Sequence, residues 1–298
     1  MPTSLSSSRF SVVVGVMLAF SIPGGLARAD LAQVKEAGVL RHLGIPYANF
    51  VTGSGDGMDS ELMQLFAAEL GVRYEHVKTD WPVVVGELTG HKVKVKGDDI
   101  EVIGPTLVRG DVIANGMTVI PWRQKAVAFA TPTFPNQVWL VSRADAPLDP
   151  ITPSGDLAKD IAVTKAVLKD RALLGKVNTC LDPALYDLKK TGARIGLFEG
   201  TLNELAPAVL NGESELILLD VPDALVALQK WPGQLKVIGP ISEKQDMAPA
   251  FSPESPVLRE VFNEFLARKK KDGTFLSLVK KYYPFVFDYY PDFFADVH

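Results

Sequence analysis

From residue 31 onward the hydrophobic period of the chain switches back and forth, and that alternation limits the fold more than any other feature. Short runs with strand patterning, "VLRHLG" at Val39–Gly44 and "VRYEHVKTD" from Val72, alternate with segments whose apolar residues recur at helical spacing. In Met58–Leu70 those residues are Leu62, Leu65, Phe66 and Leu70, closed by Gly71. Leu31–Glu36 reads as a short amphipathic start and Val83–Leu88 as a short helix behind Trp81-Pro82. Asp111–Ala114 and Gln137–Ser142 read as strands. Proline and turn residues then rise in "RADAPLDPITPSGD", marking a boundary. A second set follows, with strand-like segments at Val177, Ile195–Phe198 and Leu216–Leu219. A final helix, Pro256–Lys271, carries Val257, Val261, Phe262 and Phe265 on one face. A helix between successive strands lets them pair in parallel, so the pattern predicts an α/β protein with largely parallel pairing.

One segment breaks the alternation. In "GHKVKVKGDDIEVIGPTLVRG", Val93 and Val95 alternate with lysines, Gly97-Asp98 supplies a turn, and Ile100 and Val102 follow as a partner run. This predicts a two-strand ribbon over residues 91–104 whose lysines form a solvated edge without a binding role.

The N-terminus has the layout of an export leader. Arg9 precedes the apolar run Val12–Ile22, and Ala27-Arg28-Ala29 gives a small-residue cleavage pattern. The run is too short to span a bilayer, so residues 1–29 are expected to be removed after Ala29 and the remaining chain to be exported to the periplasm. Loss of Arg9 and Arg28 takes the formal charge from −4 to −6. An acidic balance argues against nucleic acid as a partner. Cys180, the one cysteine, cannot form an internal disulfide, so stability must come from the core. His42, His76, His91 and His298 show no metal-ligand spacing, and no metal or other cofactor is expected.

Six segments in order carry a resemblance: "GIPYANF", "GMDSELMQLFAAELGV", "TDW", "ANGMTVIPWRQKAVAFATPTF", "LILLDVPDAL" and "KKDGTFLSLVKKYYP". Together they resemble the periplasmic type II solute-binding proteins, specifically the amino-acid-binding group of extracellular solute-binding family 3. The resemblance implies a two-lobed α/β fold with a central mixed sheet in each lobe and a two-strand hinge. It places lobe 1 at residues 30–141 plus 246–298 and lobe 2 at 142–245, with chain crossings near Ser142 and Met247. It implies a monomer that binds a small zwitterionic or carboxylate solute, an amino acid first of all, and delivers it to the permease of an ABC transporter. The ribbon at 91–104 is longer than the family usually carries.

The resemblance also implies a site. A free amino acid needs a planar, bidentate donor for its carboxylate, which arginine supplies, and Arg123 stands at that family position. Thr118 offers a further hydroxyl, and Gly116 lets the backbone approach closely. The ammonium needs an anion, and Asp220 follows "LILL" at the C-terminal end of a strand, where open α/β sheets bind ligands. Tyr47 and Trp81 stand where family members place rings around the ligand. On their own residues, other readings stay open: Arg123 as a surface ion pair, Asp220 as a helix N-cap before Val221-Pro222, Tyr47 and Trp81 as core packing. Phe50 and Trp139 are assigned to packing, and Asp59 to capping Met58–Leu70.

The sequence departs from the family in lobe 2. Where members carry a Gly-Ser/Thr pair at a helix N-terminus, this chain has "NTCLDPALYDL", and Asp182 before Pro183 reads as an N-cap already holding a carboxylate there. Either Thr179 or a backbone amide is then expected to stand in, or the ligand differs from a plain α-amino acid. Two rivals share the fold: a periplasmic dehydratase acting on prephenate or arogenate, and a sensor that reports to a membrane receptor. No motif places the raised-pKa acid that the dehydratase requires, so no catalytic residue is assigned.

Overall fold

A computed structural model describes residues 30–297 of the chain; the expected leader at residues 1–29 lies outside them. Two five-stranded sheets carry the architecture. In the first, the order is Arg73–Lys78, Val39–Gly44, Val112–Ile113, Ala250–Phe251, Ala128–Phe129. In the second it is Arg194–Leu197, Ala172–Gly175, Leu216–Asp220, Val138–Arg143, Leu235–Pro240. Strands joined by helices within one lobe pair in parallel, as Val39–Gly44 does with both neighbours. The parallel expectation fails at Val138–Arg143 and Ala250–Phe251, which are antiparallel to both of their neighbours. Each is the first strand laid down in its sheet after the chain crosses between lobes. Both sheets are therefore mixed, and the protein has the two-lobed, type II periplasmic-binding-protein fold.

The two crossings pair with each other. Phe134–Asn136 runs antiparallel to Gln245–Met247, with Phe134 opposite Met247 and Asn136 opposite Gln245. The first crossing thus precedes the position expected near Ser142. Val138–Arg143 is an unbroken strand of the second sheet, buried from Val138 to Ser142, because an apolar run of that kind is stable only with both faces covered. The C-terminal segment folds back over this junction. Phe294 lies 6.4 Å from Phe134, and Tyr290 Oη donates to Gln137 Oε1 at 3.3 Å.

Periodicity located the helices well and some of their details less well. Met58–Leu70 forms as expected, burying Leu62, Met63 and Phe66 and ending at Gly71 in the left-handed region. Its N-cap is Gly57 at φ 130°, not Asp59, and no side chain caps it. A Cβ on Gly57 would lie 2.3 Å from the Phe50 carbonyl oxygen. Pro256–Lys271 forms too, but its buried face is Leu258, Phe262, Phe265 and Leu266, which pack towards Phe66, while Val257 is 49% exposed. Val177 belongs to no strand; the strand is Ala172–Gly175, and Val177 lies exposed in the loop that follows. The ribbon is present as His91–Lys96 against Asp99–Pro105.

Candidate functional site

The first lobe contributes a loop and a short helix. Strand Val112–Ile113 ends in "ANGMTVI", where Gly116 takes φ 64° and its amide donates to Asp59 Oδ2 at 2.8 Å. A Cβ on Gly116 would meet the Phe50 ring at 2.3 Å. The residue expected to open the backbone to a ligand instead lets the loop turn against Phe50, and its amide serves Asp59. Asp59 is a buried strut between the helix Met58–Leu70 and this loop. Burial pushes its carboxyl up to about 7, against the opposing pull of the Gly116 amide.

The loop continues to Thr118, which bridges Met247 of the crossing ribbon. Pro121 opens the helix Pro121–Ala126, its fixed φ suiting the first turn. The helix turns Arg123 inward to 1% exposure. Its guanidinium donates to the Thr118 carbonyl from Nη1 at 3.1 Å and to the Asn178 carbonyl from Nη2 at 3.4 Å. Nε has no partner, and no carboxylate pairs with the group among the described residues. Burial lowers its pKa, opposed by the buried groups around it, first Cys180, Tyr186 and Asp220.

The second lobe contributes Asp220, at the end of strand Leu216–Asp220 and equally buried. It does cap the helix Val221–Lys230, accepting from the Asp223 amide at 3.4 Å, so capping and a place in the site coincide. Its Oδ1 also accepts the Tyr47 hydroxyl from the first lobe, and Oδ2 accepts the Cys180 thiol at 3.2 Å. Burial pushes Asp220 up, while these bonds and the Arg123 charge hold it down. Asp223, buried beside it with Oδ2 unpartnered, is pushed much further by burial and by Asp220's charge. Both carboxyls are thus pushed up by burial, Asp223 further, because it lacks the hydrogen bonds that Asp220 accepts.

The loop between them takes a different form from the one expected. Thr179 Oγ1 donates to the Lys176 carbonyl at 2.7 Å and accepts from the Leu181 amide at 3.1 Å, so its hydroxyl organises its own turn. It is Asn178, at φ 61°, whose carbonyl reaches Arg123 across the lobe boundary. Asp182 caps the short turn Pro183–Tyr186 as anticipated, accepting from the Ala184 amide at 2.9 Å.

Tyr47, Trp81, Thr118, Arg123 and Asp220 thus converge on one interior point, whereas Gly116 and Thr179 shape the loops that carry the others. The Trp81 ring centre lies 5.0 Å from the Arg123 guanidinium carbon, and Tyr47 meets Trp81 edge-on at 6.2 Å. Four participants were not singled out from the sequence. Cys180 binds Asp220, Trp122 lies 5.3 Å from the Arg123 guanidinium, and Asn178 lends a carbonyl. Asn136, on the crossing ribbon, donates to Thr118 Oγ1 at 3.4 Å and accepts from the Val221 amide at 3.2 Å, tying the two lobes' loops together. Only for Trp122, adjacent to Arg123 in sequence, was there a hint.

Two α/β lobes on a paired crossing ribbon, with buried charged side chains between them, are the frame of a type II periplasmic-binding-protein fold. The chain matches the model for bacterial extracellular solute-binding proteins, family 3, over residues 44–285, and belongs to that family. Among solved structures it is similar to a mutant of the arginine-binding protein ArgBP from T. maritima: 23% identity, TM-score 0.66, covering 85% of this chain and 99% of that one. Tv2483 bound to L-arginine is similar at 19% identity and TM-score 0.66, covering 85% and 93%. The ancestral amino-acid-binding protein AncCDT-1, described as a precursor of cyclohexadienyl dehydratase, is similar at 24% identity and TM-score 0.64, covering 85% and 98%. No curated protein matched. Among the described residues no helix is long and apolar enough to cross a membrane, and no group of side chains could hold a metal ion.

Proposed function

We propose that the protein captures a free amino acid between its lobes and hands it to the permease of an ABC transporter after export to the periplasm. The observation that carries this reading is Arg123: a guanidinium at 1% exposure with Nε unpartnered and no carboxylate bonded to it. A buried charge is costly unless paired, so such a site is completed by an anion from outside. On the other side of the lobe boundary Asp220 would receive an ammonium, in exchange for the bond it makes to Tyr47. Trp81 and Tyr47 would cover the ligand's stem. Contacts to both lobes favour the closed arrangement, which is how ligand shifts the open–closed equilibrium. Arginine bound by the similar T. maritima and Tv2483 proteins makes a cationic amino acid the first ligand to try. In this reading lobe 1 is residues 30 to about 136 with 246 to 298, and lobe 2 the stretch between.

The test is a thermal-shift screen of the standard L-amino acids, their amides, small carboxylates and amines, followed by calorimetry. A true ligand at about a hundred times its Kd adds about 2.7 kcal/mol of stability. Binding of amines with indifference to carboxylates would refute the Arg123 assignment. Turnover of prephenate or arogenate would replace the binding reading with the enzyme.

A further inference from the structure

The ribbon His91–Lys96/Asp99–Pro105 has a place in this site. Its apolar side chains Val93, Val95 and Ile100 pack against the cluster that contains Trp122. Asp99 at its turn forms an ion pair at 3.1 Å with Lys125, on the same short helix as Trp122 and Arg123. Trp122 is buried, and its ring centre lies 5.3 Å from the guanidinium carbon of Arg123. On the outer side, Trp122, the ribbon turn at Gly97-Asp98 and the loop at Asn178-Thr179 wall a cavity of about 460 Å³. The ribbon turn, the Arg123 helix and the second-lobe loop whose carbonyl receives Arg123 Nη2 thus border one cavity.

Resting on the carboxylate reading of Arg123, we propose that Trp122, held in place by this ribbon, is the positioning residue of the guanidinium and sets the preference for a carboxylate ligand. The reason lies in what an indole does that an acid cannot. An acidic side chain beside a buried arginine would pair with it and cancel the charge the ligand needs. An aromatic face steadies the cation through its quadrupole and leaves the formal charge intact. Two indoles, Trp81 at 5.0 Å and Trp122 at 5.3 Å, do this while two backbone carbonyls fix two of the N–H groups. The unpartnered Nε marks an edge left available to an anion. Trp81 stands on a different segment that is only half-buried, so Trp122 is the indole that travels with Arg123 on one rigid helix.

The test compares Trp122→Leu, Trp122→Phe and Arg123→Ala in two measurements. In ligand-free protein, the Nε–H proton resonance of Arg123, identified by its loss in Arg123→Lys, is expected to carry a ring-current shift that Trp122→Phe largely keeps and Trp122→Leu reduces to the share contributed by Trp81. In calorimetry, with the tightest binder among the standard L-amino acids and its C-terminal amide as probes, Trp122→Leu should lose about tenfold for the acid. It should change little for the amide, and Trp122→Phe should restore most of the loss. Should Trp122→Leu fail to fold, Val95→Ser and Ile100→Ser loosen the ribbon and keep the indole, with a smaller loss of the same kind expected. An unmoved Nε–H resonance, or equal losses for acid and amide, overturns the inference. If Arg123→Ala itself leaves the acid-over-amide preference intact, the carboxylate reading has failed; if Arg123→Ala abolishes it while Trp122→Leu does not, only the positioning role has.

Discussion

The two halves of the site hold their buried charges in opposite ways. In lobe 2, Asp220 is complete without a ligand: a helix amide, a thiol and a hydroxyl satisfy both oxygens. In lobe 1, Arg123 rests on two carbonyls and two indoles, with one N–H unmatched and no carboxylate bonded to it. The acid is thus structural in its own right, whereas the arginine's burial costs stability without a bonded anion. The difference separates what should happen to folding from what should happen to binding when each is changed.

The largest expected effect falls on lobe 1 and on binding. Arg123→Ala should weaken a carboxylate ligand by about 2–5 kcal/mol in calorimetry. Urea unfolding of ligand-free protein should meanwhile change little, or move towards greater stability, because a lone buried cation is removed. A large loss of ligand-free stability would show that the guanidinium already has its partner, and the contrast between the halves would break. Asp220→Ala should do the reverse of that folding result. It strands a helix amide, a hydroxyl and a thiol, and a loss of about 2–3 kcal/mol is expected in the same unfolding experiment. Asp220→Asn, which keeps an acceptor, should weaken amino acids and leave plain carboxylic acids nearly unchanged.

Two further variants sharpen the picture of the lobe 1 loop. Gly116→Ala puts a Cβ 2.3 Å from the Phe50 ring at a left-handed backbone, and should cost about 1–3 kcal/mol of stability. Asp59→Asn should have the gentlest effect, visible as a slope. Burial raises Asp59 from 3.8 to about 7, so across that window the folded state holds a proton the unfolded chain has lost. Stability from this group is present at low pH and falls as pH rises towards 7, by at most about 1.4 kcal/mol per pH unit. His42, buried and lowered to about 4, pushes the opposite way over part of the same range, so the unfolding midpoint of Asp59→Asn must be compared with wild type at each pH. A difference between the two that does not vary from pH 4 to 7 would mean that Asp59 is ionised throughout.

Local pattern made much of the fold legible. Met58–Leu70 and Pro256–Lys271 follow from helical spacing with a glycine or proline at an end, and Val39–Gly44 from its strand run. Residues that carry charge at element ends, Arg123 and Asp220, were also accessible, because the family order fixes their places. Features that depend on the partner surface were not. Val257 and Leu258 are adjacent apolar residues, and only packing towards Phe66 decides which one is buried. Thr179 is a donor in sequence, yet in the folded loop its hydroxyl closes a turn and the neighbouring backbone carbonyl does the reaching.

By itself, then, the sequence determined the element periods, since these follow from side-chain chemistry read along the chain, while the two-lobed plan and the choice of Arg123 and Asp220 as candidates came from the order of the family segments. Tertiary structure alone decided which groups those charges meet. Cys180, Asn136 and Trp122 reach the site through contacts between segments far apart in sequence or from an unremarkable position beside Arg123. The physical reason is burial: a cysteine, an asparagine or an indole is ordinary on a surface and becomes consequential only where water is excluded and each polar atom must find a partner.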